Sequence, residues 1–344
     1  MSLEIEPFRS RVPLQRSATG AGAQRPVVIG LVNNMPDTAL EATEAQFARV
    51  LSTAAGAVVG SMAVRLRFYF LPEVPRGAAG AAHVNGDRYW SIEELQSDPP
   101  DALIVTGTEP LAPLLSDEPY WERLRELLQW AQANTASSIW SCLAAHAAVE
   151  LLDGVKRRRM PSKRCGVFAH DILPNQPLLK GVLAPLYTPH SRWNELPVEA
   201  LREAGYTIVS TSAESGADMF TKQTGSLLVF FQGHPEYEET TLLREYRRDV
   251  GRFLRGQQAH YPTLPHGYFP PAALELLSAF EARARAAPDA ELLADFPLTP
   301  IAATLKNTWS AGTTGIYRNW LALIASRQKT STSLPPAKVA PSGL

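Results

Sequence analysis

Cys142 stands in Ser141-Cys142-Leu143-Ala144-Ala145-His146, where a short apolar run gives way to helical spacing. A thiol at a helix N-terminus meets the positive end of the peptide dipoles, and it is the thiolate that attacks electrophilic carbon. The N–H of Leu143 would face the oxygen that gains charge during such an attack. The competing reading is a buried cysteine acting as a small hydrophobe. A nucleophile also needs a base, and the base needs a group to orient it. His234 and Glu236 flank Pro235 after the apolar run Leu227 to Phe231. Strand alternation puts positions i and i+2 on one side, so Glu236 can fix the His234 ring. The competing reading is a solvated His-Pro-Glu turn. Cys165, in Arg164-Cys165-Gly166-Val167, lacks such a setting and reads as core filler.

These groups need a scaffold that delivers them to one place. Apolar runs at Val27–Leu31, Val64–Leu71, Ala102–Val105, Ser137–Trp140 and Leu227–Phe231 read as strands. Helical spacing covers Glu41–Thr53, Tyr120–Ala133, Ala144–Asp153 and Glu239–Phe253, with Gly154 marking one helix end. Strands alternating with helices predict an α/β fold with a mainly parallel sheet flanked by helices. Function in such sheets gathers at the carboxyl ends of strands. Three of those ends carry unusual residues: Thr106-Gly107-Thr108-Glu109, Cys142, and Gly233-His234-Pro235-Glu236. The segment Arg76–Asn85 reads as a surface loop. Residues 1–25 read as a flexible arm, 26–326 as one domain and 327–344 as a disordered tail.

Composition narrows the class. The net charge of -1 gives no basic surplus for nucleic acid. No apolar run is long enough to span a bilayer, and the first 25 residues hold no apolar core of a secretory signal. Two cysteines make no disulfide framework, which points to a reducing, cytoplasmic setting. The histidines show no tight metal-ligand spacing, so no metal is expected. Lys156-Arg157-Arg158-Arg159, with Lys163 and Arg164, forms a basic cluster that is either a solvated loop or a contact for phosphates.

The chain resembles the homoserine O-acyltransferases of the homoserine O-succinyltransferase type. The likeness rests on Asn34-Met35-Pro36, Ser141 to His146, Lys163 to His170, Pro189-His190-Ser191-Arg192, Gly233 to Tyr237, Glu245 to Asp249 and Asn319-Trp320-Leu321. It covers about Pro26 to Ala325. The resemblance implies a class I glutamine-amidotransferase-like (flavodoxin-like) fold with a C-terminal extension, and a homodimer. It implies that Cys142 takes an acyl group, succinyl or acetyl, from acyl-CoA as a thioester, with no cofactor. His234 then activates the hydroxyl of homoserine, in methionine biosynthesis, and Glu236 orients His234. Lys163, Ser191 and Arg248 are implied to hold the amino acid, and the loop around Leu111 to choose the acyl group. Serine as acceptor, or an inactive amino-acid-binding relative, are the alternatives. Leu143 and His146 stand where the family commonly has Trp and Gln. His146, one turn past Cys142, reads either as a satisfied helix-face histidine or as a group that alters the chemistry.

Overall fold

The computed structural model describes residues 3–7, 25–58 and 62–332. In chain order its strands are Leu3–Ile5 (β1), Val27–Val32 (β2), Val64–Tyr69 (β3), Tyr89–Trp90 (β4), Ala102–Val105 (β5), Ser137–Ser141 (β6) and Arg158–Ile172 (β7). Leu186–Glu195 (β8), Thr207–Ile208 (β9), Ser210–Ser212 (β10), Gly216–Ala217 (β11), Met219–Gln223 (β12) and Leu227–Phe231 (β13) follow. The helices are Leu40–Gly56 (α1), Ala78–Val84 (α2), Glu94–Ser97 (α3), Trp121–Asn134 (α4), Leu143–Asp153 (α5), Val198–Glu203 (α6), Thr241–Leu254 (α7), Pro271–Ala286 (α8), Leu298–Ala302 (α9) and Ser310–Thr332 (α10).

The main sheet runs β1-β3-β2-β5-β6-β13-β12-β9, with β4 beside β3. All its pairs are parallel except β13–β12 and β12–β9. The α/β fold with a mainly parallel sheet is therefore as expected. Its central strands are buried on both faces, which is why Val27–Val32 and Ala102–Val105 read as almost unbroken apolar runs. Leu40, Phe47 and Leu51 of α1 cover one face together with Trp320, Leu321 and Ile324 of α10. Leu124, Leu128, Ala145 and Val149 of α4 and α5 cover the other. A third apolar cluster joins α7 to α8 and α9.

Register sets the level of the strand ends. Val32 pairs with Val105, Val105 with Trp140, and Ser141 with Phe231. The residues after those strands, 33–34, 106–107, 142 and 232–234, consequently emerge at one edge. A second, antiparallel sheet in the order β11-β10-β7-β8 stands beside that edge. Its long β7–β8 ladder pairs Cys165 with Ser191, and its register shifts between Arg159 and Arg164.

Three expectations are corrected. Arg76–Asn85 is not simply a loop, because it holds α2. The Asp37 carboxylate accepts the Gly77 N–H at 2.8 Å and lies where a Cβ on Gly80 would be, so α2 rests on a contact 40 residues away. Leu3–Ile5 of the expected arm pairs with β3, while 8–24 lie outside the described residues. The expected tail begins inside α10, where Arg327 donates to the Ala136 carbonyl, and 333–344 lie outside the described residues. Of the basic cluster, Arg158, Arg159, Lys163 and Arg164 lie on β7, and Lys156 and Arg157 precede it.

The Trp320 indole is buried against the sheet and donates to Ser137 Oγ at 2.9 Å. Trp320→Ala is expected to cost about 3–5 kcal/mol, read as a fall in the urea midpoint.

Candidate active site

Cys142 is an elbow between β6 and α5. Its backbone sits at φ 54°, a strained region for a residue with a Cβ, and its N–H donates to Phe231 O at 2.8 Å. That bend carries the sulfur out of the sheet, where it lines a cavity of about 400 Å³ at the strand ends. Leu143 opens α5, so its N–H has no carbonyl a turn earlier to bond. Gly107 leaves that N–H accessible: a Cβ there would lie 2.8 Å from Leu143 N.

His234 faces the same cavity. It lies in a turn, not in a strand, so strand alternation is not what sets its relation to Glu236. The turn itself brings them together: His234 Nδ1–H donates to Glu236 Oε1 at 2.8 Å, with both side chains buried. The turn is pinned from several directions. His234 N–H donates to Pro189 O at 2.7 Å, and Thr313 Oγ and Trp309 Nε1 donate to the carbonyls of Pro235 and Tyr237. Arg49 donates to Glu236 O, and the Tyr237 ring stacks on the imidazole at 4.3 Å. Burial disfavours a charge on His234, but the sulfur of Cys142 and the carboxylate of Glu236 prevail and raise its pKa well above the ordinary histidine value. With Nδ1 committed to Glu236, Nε2 is the ring nitrogen left to act toward Cys142. The stability this proton contributes is full below about 6.5, the unfolded histidine value, and is lost as pH climbs through the raised folded value.

Lys163, Ser191 and Arg248 meet in the same cavity, brought there by β7, β8 and α7. Lys163 Nζ lies 2.8 Å from Asp249 Oδ2, and Arg248 Nε donates to Asp249 Oδ1 at 3.2 Å. Ser191 Oγ donates to Glu245, which also accepts from Tyr237 at 2.6 Å. Despite burial, the positive charges of Lys163 and Arg248 draw the Asp249 carboxyl below its usual range. Glu245 and Asp249 carried no role in the sequence reading. Their spacing of four on one helix face was the signal available.

Leu111 lies on the outside of its loop. Its side chain is 73% exposed, and it does not line the cavity, which Gly107 to Pro110 do. Its N–H is spent on Glu118 at 2.7 Å, which turns the loop outward. His146 is buried and lines the cavity; its Nε2–H donates to Gln232 Oε1 at 3.0 Å, and Nδ1 has no partner among the described residues. Burial, aided by Arg192 and Arg157, lowers its pKa to about 3, so it stays neutral near pH 7. Burial pushes the Cys165 thiol up to about 11, and it packs against the third apolar cluster, as core filler does.

Sequence spacing also missed the buried trio His170, His190 and Asp218, whose potential ligand atoms lie within 4.8 Å of one another. Their hydrogen bonds give them structural work. His170 Nδ1–H donates to Leu186 O and Nε2 accepts from Ser215, while His190 Nδ1 accepts from Arg192. Asp218 Oδ1 accepts the Gly233 N–H at 2.8 Å, one residue before His234. The Arg192 guanidinium beside His190 opposes a further cation there.

A thiol held in a strained elbow, an imidazole facing the same cavity and a carboxylate hydrogen-bonded to that imidazole are the parts of a nucleophilic transferase or hydrolase site. Comparison narrows the class. The family model of homoserine O-succinyltransferase matches residues 11–331. The homoserine O-succinyltransferase of Rhodopseudomonas palustris is 44% identical over 311 residues, covering 90% of this chain and 92% of that protein. That of Thiothrix nivea is 38% identical over 299 residues, covering 86% and 82%. A solved glutamine amidotransferase from Thermotoga maritima is similar at 11% identity and TM-score 0.45, covering 88% of this chain and 99% of that one. The chain belongs to the homoserine O-succinyltransferase family and is an acyltransferase. Among the described residues no helix is long and apolar enough to cross a membrane.

Cys142→Ala removes the sulfur that, with Glu236, raises His234. The imidazole midpoint, followed by NMR of the ring protons, is expected to fall toward the ordinary histidine value.

Proposed function

We propose that the protein transfers a succinyl group from succinyl-CoA to the hydroxyl of L-homoserine, a step of methionine biosynthesis, through a thioester on Cys142. The observation that carries this reading is the Cys142–His234–Glu236 line inside a cavity that also holds the paired charges of Lys163, Glu245, Arg248 and Asp249. In the first half, Cys142 sulfur attacks the thioester carbon, with its proton on His234. The tetrahedral oxygen gains charge beside the Leu143 N–H, a kind of contact worth about 10²- to 10³-fold in rate. The carbon–sulfur bond to CoA breaks, and the CoA sulfur leaves with the proton from His234. In the second half, His234 takes the proton of the homoserine hydroxyl as that oxygen attacks the acyl carbon. The bond to Cys142 breaks, giving O-succinylhomoserine and returning the proton to the cysteine–histidine pair. Glu236 holds the Nδ1–H tautomer throughout, which leaves Nε2 free for transfer.

The acceptor is a zwitterion, and the cavity supplies both signs. Arg248 and Lys163 suit the α-carboxylate, and Glu245 and Asp249 the α-ammonium. Ser191 and Tyr237 set the Glu245 carboxylate in place. His146, with its Nε2–H held by Gln232 and its basicity lowered by burial, is given no proton-transfer role in this scheme.

Mixing with succinyl-CoA is expected to leave an adduct of succinyl mass on the Cys142 peptide, discharged by homoserine and not by serine. No adduct, or discharge by both acceptors alike, overturns the reading. Glu236→Gln is expected to lower kcat by about 10²- to 10⁴-fold with the adduct position unchanged.

A further inference from the structure

Six basic side chains line the Cys142 cavity, and the protein itself engages five of them. Lys163 and Arg248 sit on Asp249, and Arg252 lies 3.8 Å from Glu109 and 3.5 Å from Asp249. Arg192 donates to His190 Nδ1, to Asn194 O at 2.7 Å and to Ser215 O at 2.5 Å. Arg159 lies over the Trp193 ring, 4.4 Å from its centroid. Arg157, half-buried beside the first residue of β7, has no hydrogen-bond, carboxylate or ring partner among the described residues. A guanidinium taken partly out of water without a counter-charge is held at a cost, unless a ligand supplies the charge. Burial lowers its pKa, and the fields of Tyr120, Glu150 and Glu118 offset this only in part. Arg157 lines the same cavity as Cys142 and His146.

We propose that Arg157 forms the subsite for the distal carboxylate of the acyl group, and so selects a dicarboxylic acyl chain over a neutral one. This rests on the function proposed above. Once the acyl carbon is on Cys142, the distal carboxylate is only a few bonds away and must meet a group lining this cavity. In the function proposed above Lys163 and Arg248 meet the acceptor's carboxylate, while Arg192 and Arg252 hold groups of the protein, Arg159 lies over Trp193, and Leu111 points outward. A planar guanidinium accepts a carboxylate with two parallel hydrogen bonds. A phosphate of CoA presents the same anionic chemistry, so the test must separate the two sources.

The test measures kcat/KM for homoserine acylation from succinyl-CoA, succinyl-N-acetylcysteamine and butyryl-N-acetylcysteamine. The second donor has the distal carboxylate and no phosphate; the third has neither. Arg157→Leu is expected to lower both succinyl rates tenfold to a hundredfold or so, with butyryl transfer within about threefold or increased. Arg157→Lys is expected to recover part of the succinyl rate. Loss with succinyl-CoA alone assigns Arg157 to a phosphate and overturns the proposal. Equal loss with all three donors makes it structural and also overturns it. If the unaltered protein moves succinyl from neither donor, the proposed function fails first and the subsite with it.

Discussion

The site depends on one hydrogen bond between neighbouring parallel strands, from Cys142 N–H to Phe231 O at 2.8 Å. It continues the β6–β13 ladder by one residue past Ser141. That residue fixes the height of the elbow against the end of β13, three positions before His234. A slip of one residue in this pairing would turn alternate side chains to the opposite face and separate sulfur from imidazole. The surrounding contacts protect the register. Gly233 can pass between Thr188, Asp218 and Pro189 because it has no Cβ, which would fall within 2.8 Å of all three. The buried Asp218 then accepts its N–H. Asn34 performs a similar service at the neighbouring strand ends, donating its N–H to Thr106 Oγ and accepting that of Leu71.

The two sheets divide the chemistry. The parallel sheet supplies the elbow and the His-Pro-Glu turn, and the antiparallel one supplies Lys163, Ser191 and Arg192. Helix α7 closes the gap between them with Glu245, Arg248 and Asp249, facing charges of both signs across a few ångströms. Such closely opposed pairs suit a zwitterionic guest, since each member can exchange an internal partner for one on the ligand at modest cost in desolvation. The neutral, buried His146 adds no further charge to the cavity wall.

Much of this was legible in the sequence where it depended on local pattern. Buried parallel strands announce themselves as apolar runs, Gly154 ends α5 in the left-handed conformation expected of it, and Cys142 opens that helix. What could not be read depended on contacts between distant segments. The helix at Ala78–Val84 is short and alanine- and glycine-rich, and it forms against Asp37. Arg157 looked like one more charge in a basic run; only the cavity shows that its neighbours on β7 and β8 are occupied. Leu111 is chain-close to Pro110 at the cavity rim, yet Glu118 captures its N–H and turns it away. The His170–His190–Asp218 trio gathers from three strands or their borders, with no periodicity to betray it.

The backbone at Cys142 adopts a conformation that glycine would take up without penalty. The proposed nucleophile is thus also a point of stored tension, held by β6 on one side and α5 on the other. Breeding this protein for heat resistance alone would reward relaxing that bend, and the most durable descendants would be those that had given up their trade.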